Sequence, residues 1–180
     1  MTEQTLDRIS DLVARARKAG ADAADAVFVR SVAAGAGVRN GVTEELERSE
    51  TTDLGLRVFA GKKSAILSTT TPEPSRFDAL IEQAMAMARV LPEDQYAGLN
   101  PLAQQGRFTQ NDLELADSAE PTTEELLARA RSGEEAALGI KGVTNSAGSS
   151  ASCGRTEVYL VTSAGFAGSY TRTQHSNSVC

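Results

Sequence analysis

Between Gly37 and Leu67 the chain reads GVRNGVTEELERSETTDLGLRVFAGKKSAIL, and its apolar positions recur at the two-residue period of strands. Two runs meet at Asn40-Gly41, a pair suited to a type I′ hairpin because both central positions must accept positive φ. After a polar, acidic segment, Leu54, Leu56 and Val58 fall on one face of a further strand. Gly61-Lys62-Lys63 then supplies a turn into Ala65-Ile66-Leu67. Four consecutive strands in a meander are expected. Upstream, the Val- and Phe-containing run Asp25 to Val32 predicts a strand of its own, joined to the hairpin by the small residues Ala33 to Gly37.

Two stretches flanking the meander change to a helical period. Leu6, Ile9, Leu12, Val13 and Ala16 share one face, Arg15, Arg17 and Lys18 suit the C-terminal end of the dipole, and Gly20 can close the helix. Phe77, Leu80, Ile81, Ala84 and Ala88 mark a second helix, with Ser75 and Asp78 at capping-box spacing. An apolar helix stripe must rest on something, and the Leu54/Leu56/Val58 face is the nearest partner. A third helix starts at Thr122 with Glu125 as capping partner and buries Leu126, Leu127, Ala130, Ala137 and Leu138, although Gly133 weakens its middle.

The expected fold class is therefore α+β, with an antiparallel meander packed against helices, then a helix and a second, polar, β-rich segment. Three regions follow: residues 1–90; a connection over 91–121, where Pro92, Gly98, Pro101 and Gly106 interrupt every period; and residues 122–180. From Ile140 the chain is small and polar. Val158, Leu160 and Thr162 alternate with Glu157, Tyr159 and Val161, and Asn145-Ser146-Ala147-Gly148 and Ser163-Ala164-Gly165 read as turns, which predicts a second antiparallel set. The final strand, from Phe166, reaches Cys180 with no closing turn, as expected of a piece of a longer protein. Polar strands of this kind offer an edge to which an extended peptide can add.

Composition narrows the class of function. A chain of 180 residues, 41% hydrophobic but only 4% aromatic and without Trp, must build its core from Ala, Val, Leu and Ile. Its net charge of -6 and pI near 4.9 disfavour phosphate backbones, so no direct nucleic-acid partner is expected. The acidic, amphipathic N-terminus lacks the basic start and apolar block of a signal peptide, and no run approaches the roughly 18 apolar residues of a membrane span. A soluble, cytoplasmic protein without a membrane partner is expected, and two cysteines, Cys153 and Cys180, suit a reducing compartment.

Candidate chemistry is sparse. His175 is the sole histidine, which precludes a zinc site built on two helix-spaced histidines, and Cys153 and Cys180 lack C-x-x-C spacing. A Ser-His-Asp set would have to centre on His175. Gly35, Gly37 and Gly41 lead into a strand rather than a helix and read as turn glycines, not a phosphate loop. Glu44, Glu45, Glu47, Glu50 and Asp53 alternate along a strand and read as a solvated face, and Lys62 and Lys63 as a turn tip. From the residues themselves no catalytic, cofactor-binding or metal-binding residue is assigned.

The order of the blocks GVRNG, EELERSE, DLGLRVFAGKKSAILSTT and AMAMARVLPEDQYAGL, followed by GVTNSAGSSASCGRTEVYLVTSAGFAGSY, resembles the N-terminal region of the TldD/PmbA family, in its PmbA (TldE) branch. The resemblance runs from Leu6 to about Val179. It implies a cytoplasmic metallopeptidase system, also called modulator of DNA gyrase, that acts in peptide maturation and proteolysis. In that family the TldD-type subunit carries zinc on two histidines flanking a glutamate, and the PmbA-type subunit is its heteromeric partner. The zinc motif does not occur in this sequence, so the resemblance carries over no site residue and implies zinc only in a TldD-type partner. The implied role is a non-catalytic scaffold and a region of subunit or peptide contact, with homo-oligomerisation left open. The alternative is a protein-interaction module, acting on gyrase or a toxin–antitoxin component without proteolysis.

Overall fold

The computed structural model describes residues 2–101 and 113–180. Its helices are α1 (Thr2–Lys18), α2 (Phe77–Val90) and α3 (Thr123–Leu138), and its strands β1 (Ala23–Arg39), β2 (Val42–Ala60), β3 (Lys63–Thr69), β4 (Ser149–Thr162) and β5 (Ala167–Val179). The fold is α+β, and the strands form one antiparallel sheet in the order β3-β2-β1-β4-β5. No described helix is long and apolar enough to cross a membrane.

Three expectations need correction. The meander has three strands, two of them long, not four plus a separate one, because β1 continues through Ala33–Gly37 and β2 through the acidic segment. Small residues do not break a strand that has neighbours on both sides, and β1 lies between β2 and β4. A Cβ added at Gly35 would meet Ser152 Cβ at an ordinary 3.9 Å. The second β-rich segment is also not a separate set: β4 takes the position beside β1 left open by the β1–β2 hairpin. Finally, Ser75 does not cap α2. Pro74–Arg76 form a 3₁₀ turn, which makes Arg76 the N-cap with no side-chain capping bond.

The chain folds as two compact units, the first comprising Met1–Arg30, Thr52–Leu113 and Glu157–Tyr170. Its core joins Ile9, Leu12 and Val13 of α1 and Phe77 and Ile81 of α2 to Leu54, Leu56 and Val58 of β2, with Tyr159 and Val161 of β4. Ala16, Ala24, Ala26, Ala84 and Ala88 are all completely buried. Small side chains on helices and strands alike allow close approach, which is how a core poor in aromatics reaches interior packing density. Gly20 (φ 99°) closes α1 as its spacing predicts, and Asp22 Oδ2 then accepts the Gly61 N–H at 2.6 Å. The helix exit is thereby fixed to the β2–β3 turn.

The second unit comprises Ser31–Thr51, Glu114–Thr156 and Thr171–Cys180. Leu126 and Ala130 of α3 pack on Ala36 and Val38 of β1 and Ala151 of β4. Thr122 and Glu125 form the expected capping box, with Glu125 N donating to Thr122 Oγ1 at 3.2 Å and Thr122 N to Glu125 Oε2 at 2.7 Å. Gly133 has a positive reason to be small: a Cβ there would come within 3.0 Å of Ser149 Oγ on β4.

Asn40 (φ 50°) and Gly41 (φ 74°) make the left-handed pair that the hairpin requires. Glu134 of α3, 2% exposed, holds this tip by accepting the Asn40 N–H at 2.9 Å and the Gly41 N–H at 2.8 Å. The Gly41 bond holds the Glu134 carboxyl below its ordinary 4.5, burial opposes this, and the Ser146 and Asn40 bonds reinforce it. A depressed carboxylate pKa contributes stability that is present above the unfolded value and lost as pH falls through the folded value. Glu134→Gln should therefore lower the melting temperature by several degrees at neutral pH, and the gap from wild type should close as pH falls below 4.5. Thermal melts over a pH series read both effects.

Candidate functional site

In the first unit the two faces of the sheet carry different chemistry. Leu54, Leu56 and Val58 lie in the helix-covered core, so the intervening Gly55 and Arg57 project to the opposite face. There, with Asp25 and Val27 of β1, Ile66 of β3 and Leu160 of β4, they line a cleft of 710 Å³. Phe166 also lines it, positioned by the β4–β5 turn. Its N–H donates to Thr162 Oγ1 at 3.2 Å and its carbonyl accepts the Thr162 N–H at 2.9 Å. Gly168 leaves room for the ring, since a Cβ there would approach Phe166 Cζ to 2.9 Å.

An ion pair lies in the cleft. Arg57 Nε donates to both Asp25 oxygens at 3.1 Å, and its Nη2 donates to Oδ2. The Asp25 side chain is 9% exposed and that of Arg57 40%. The guanidinium carbon also lies 5.1 Å from the centroid of the Phe59 ring, within cation–π range. The pair is locally neutral, and part of the guanidinium still faces the cleft. Its lining is otherwise largely aliphatic and aromatic, which suits binding better than bond-breaking.

The second unit brings together residues far apart in sequence. Cys153 Sγ lies 4.0 Å from His175 Nε2, and the same nitrogen lies 3.9 Å from Asp117 Oδ2. Asp117 is held there by its N–H donating to Thr173 Oγ1 at 2.8 Å. A nucleophilic triad needs the two imidazole nitrogens to serve different partners, one on the nucleophile and one on the acid. Here a single nitrogen faces both groups. Burial pushes the Cys153 thiol up, Glu120 and Asp117 add to the rise, and Arg129 opposes it. A thiol kept protonated in this way is a poor nucleophile.

Cys180 is exposed, and its carbonyl accepts the Ala147 N–H at 2.8 Å. Among the described residues no group of three or more His, Cys, Asp or Glu side chains is arranged to hold a metal ion. Glu44, Glu45, Glu47, Glu50 and Asp53 are exposed along β2, and Lys63 Nζ donates to the Arg89 carbonyl at 3.1 Å. The sequence reading did not single out Asp25, Gly55 or Arg57. The available signal was one charge in each of two otherwise apolar runs, Asp25 in DAVFV and Arg57 in LGLRVF, opposite in sign.

Residues 24–88 match the PmbA/TldA metallopeptidase domain 1, and residues 116–180 match the PmbA/TldA metallopeptidase central domain. No curated protein matches the chain in sequence. Among solved structures, a proposed modulator of DNA gyrase from Bacteroides thetaiotaomicron superposes with a TM-score of 0.84 at 21% identity, over 98% of this chain and 40% of that one. TldE from Thermococcus kodakarensis gives 0.73 at 16% identity, over 96% and 39%. A proposed modulator of DNA gyrase from Thermotoga maritima gives 0.67 at 15%, over 94% and 37%. The chain thus spans 37–40% of the length of these solved relatives, and at such identities they establish the fold. With its first and central domain models matched in order, the chain belongs to the PmbA/TldD metallopeptidase family.

Proposed function

We propose that this chain is the N-terminal portion of a PmbA (TldE)-type subunit, in which it serves as a non-catalytic scaffold and contact region for a zinc-bearing TldD-type partner that hydrolyses peptides. The observation that carries this reading is the ordered pair of family domains on a sequence with one histidine. That histidine, His175, is placed against Asp117 and Cys153 rather than beside a second histidine and a glutamate. The structural likeness to TldE supports the branch. In this reading the protein works in the cytoplasm, contributes contact surface, and leaves water activation to the partner's zinc.

Mixing the purified protein with a TldD-type subunit and following the mixture by size-exclusion chromatography with light scattering tests the assignment. A stable complex containing both chains is the expected result, and independent elution at micromolar concentration would overturn it. The descriptions of the Bacteroides and Thermotoga relatives favour a second reading, direct binding to gyrase without proteolysis. Retention of gyrase subunits on the immobilised protein, with the TldD-type subunit absent, distinguishes that reading from the first.

A further inference from the structure

The strongest unexplained feature of the first unit is Gly55, a glycine inside a central strand. Glycine weakens a strand interior and marks either a bulge or the close approach of another group. Gly55 pairs in regular register with Ser68, its φ is not positive, and a Cβ there would meet only the Val27 carbonyl oxygen at 3.9 Å. Neither backbone conformation nor packing requires a glycine, yet it forms part of the floor of the 710 Å³ cleft. That volume lies within the roughly 300–1,000 Å³ of ligand pockets.

We propose that this cleft is a binding site for an uncharged peptide segment bearing a bulky aliphatic or aromatic side chain. The side chain lies over Gly55 among Val27, Ile66, Leu160 and Phe166, and the peptide carbonyl accepts from Arg57. Charge decides the class of ligand. Asp25 neutralises the guanidinium through Nε and Nη2, so the edge at Nη1 offers donors without a net positive charge. The neutral pair gives a carboxylate or an ammonium no net attraction to offset its desolvation in an apolar cleft, whereas a neutral amide carbonyl loses less on burial and can accept from Nη1. The choice of peptide over other amides rests on the peptide-contact role proposed above; the cleft and the missing side chain stand independently of it.

Titration of the purified protein with N-acetyl-Leu-Phe-amide, by calorimetry or by NMR shift perturbation at Gly55 and Phe166, tests the site. N-acetyl-Asp-Asp-amide, N-acetyl-Lys-Lys-amide and the small apolar amide N-methylisovaleramide serve as comparators. Binding of the apolar dipeptide at least about tenfold tighter than every comparator is expected, as is an equal or greater loss in Gly55→Val, which fills the floor. Because valine favours strands, that variant should melt no lower than wild type. Gly168→Ala, which displaces only the Phe166 ring, should weaken binding less. Absence of binding, equal binding of a charged peptide or the simple amide, or undiminished binding by a folded Gly55→Val protein would each overturn the proposal. These measurements use no TldD-type subunit, so their failure is separable from failure of the complex.

Discussion

Leu56→Ala should cost about 3 kcal/mol of folding stability, within the roughly 2–5 kcal/mol range for removing a buried leucine side chain. Leu56 is completely buried in the C-terminal part of β2, between Leu54 and Val58 and beneath the two helices of the first unit. The size of the loss depends on whether the surroundings can collapse into the gap. Here the neighbouring layers are rich in alanine at Ala16, Ala24, Ala26, Ala84 and Ala88, so closing the gap requires backbone movement rather than a rotamer change. Exposed Ile66, 64% accessible on β3, provides the contrast. Ile66→Ala should change stability by no more than about 0.5 kcal/mol. Chemical denaturation of both variants checks the pair, and equal losses would contradict the assigned faces of the sheet.

Arg57→Ala should cost about 2 kcal/mol, because it leaves the Asp25 carboxylate buried without its partner; the 40% exposure of the arginine side chain keeps the loss below the roughly 3–5 kcal/mol of a fully buried pair. The more informative result is the double replacement Asp25→Val with Arg57→Leu. It removes both charges and leaves no carboxylate buried without a partner, so it should be more stable than Arg57→Ala alone. If the double variant is the less stable one, the pair is a net contributor to stability and not a polar device retained in an otherwise apolar cleft. Urea midpoints of the three variants and wild type decide between these outcomes.

Much of this architecture is legible from local chemistry. Asn40-Gly41 specifies a turn that few other pairs tolerate, Thr122 and Glu125 cap α3 reciprocally, and Gly20 ends α1 in the left-handed conformation. Each depends on residues within four positions of one another. The departures from expectation depend on partners far away in sequence. Ala33–Gly37 continues β1 because β4 lies alongside, and nothing local to five small residues conveys that. Glu134 looks like another acidic residue of α3 until its carboxylate is seen on the tip of a hairpin more than ninety residues earlier in the chain. Ser75 has the spacing of a cap, but Pro74 starts a 3₁₀ turn that moves the helix start past it.

The candidate site divides in the same way. His175 and Cys153 stand out in the sequence as the sole histidine and one of two cysteines, but the 4.0 Å approach between them, and the presence of Asp117 beside them, depend on tertiary pairing. The cleft was hidden for the opposite reason. Its functional feature is the absence of a side chain at Gly55, and a glycine between two leucines carries no indication of whether it relieves strain, avoids a clash or leaves a space.

In the role proposed above, catalysis belongs to a TldD-type partner and this chain contributes contact surface. Its most direct test is the rate of peptide cleavage by a zinc-loaded TldD-type subunit, measured alone and with the purified protein added in equal amount. Cleavage should rise on addition, the protein by itself should cleave nothing, and the activity of the mixture should be unchanged by His175→Ala. A rate indifferent to its presence would contradict the claim.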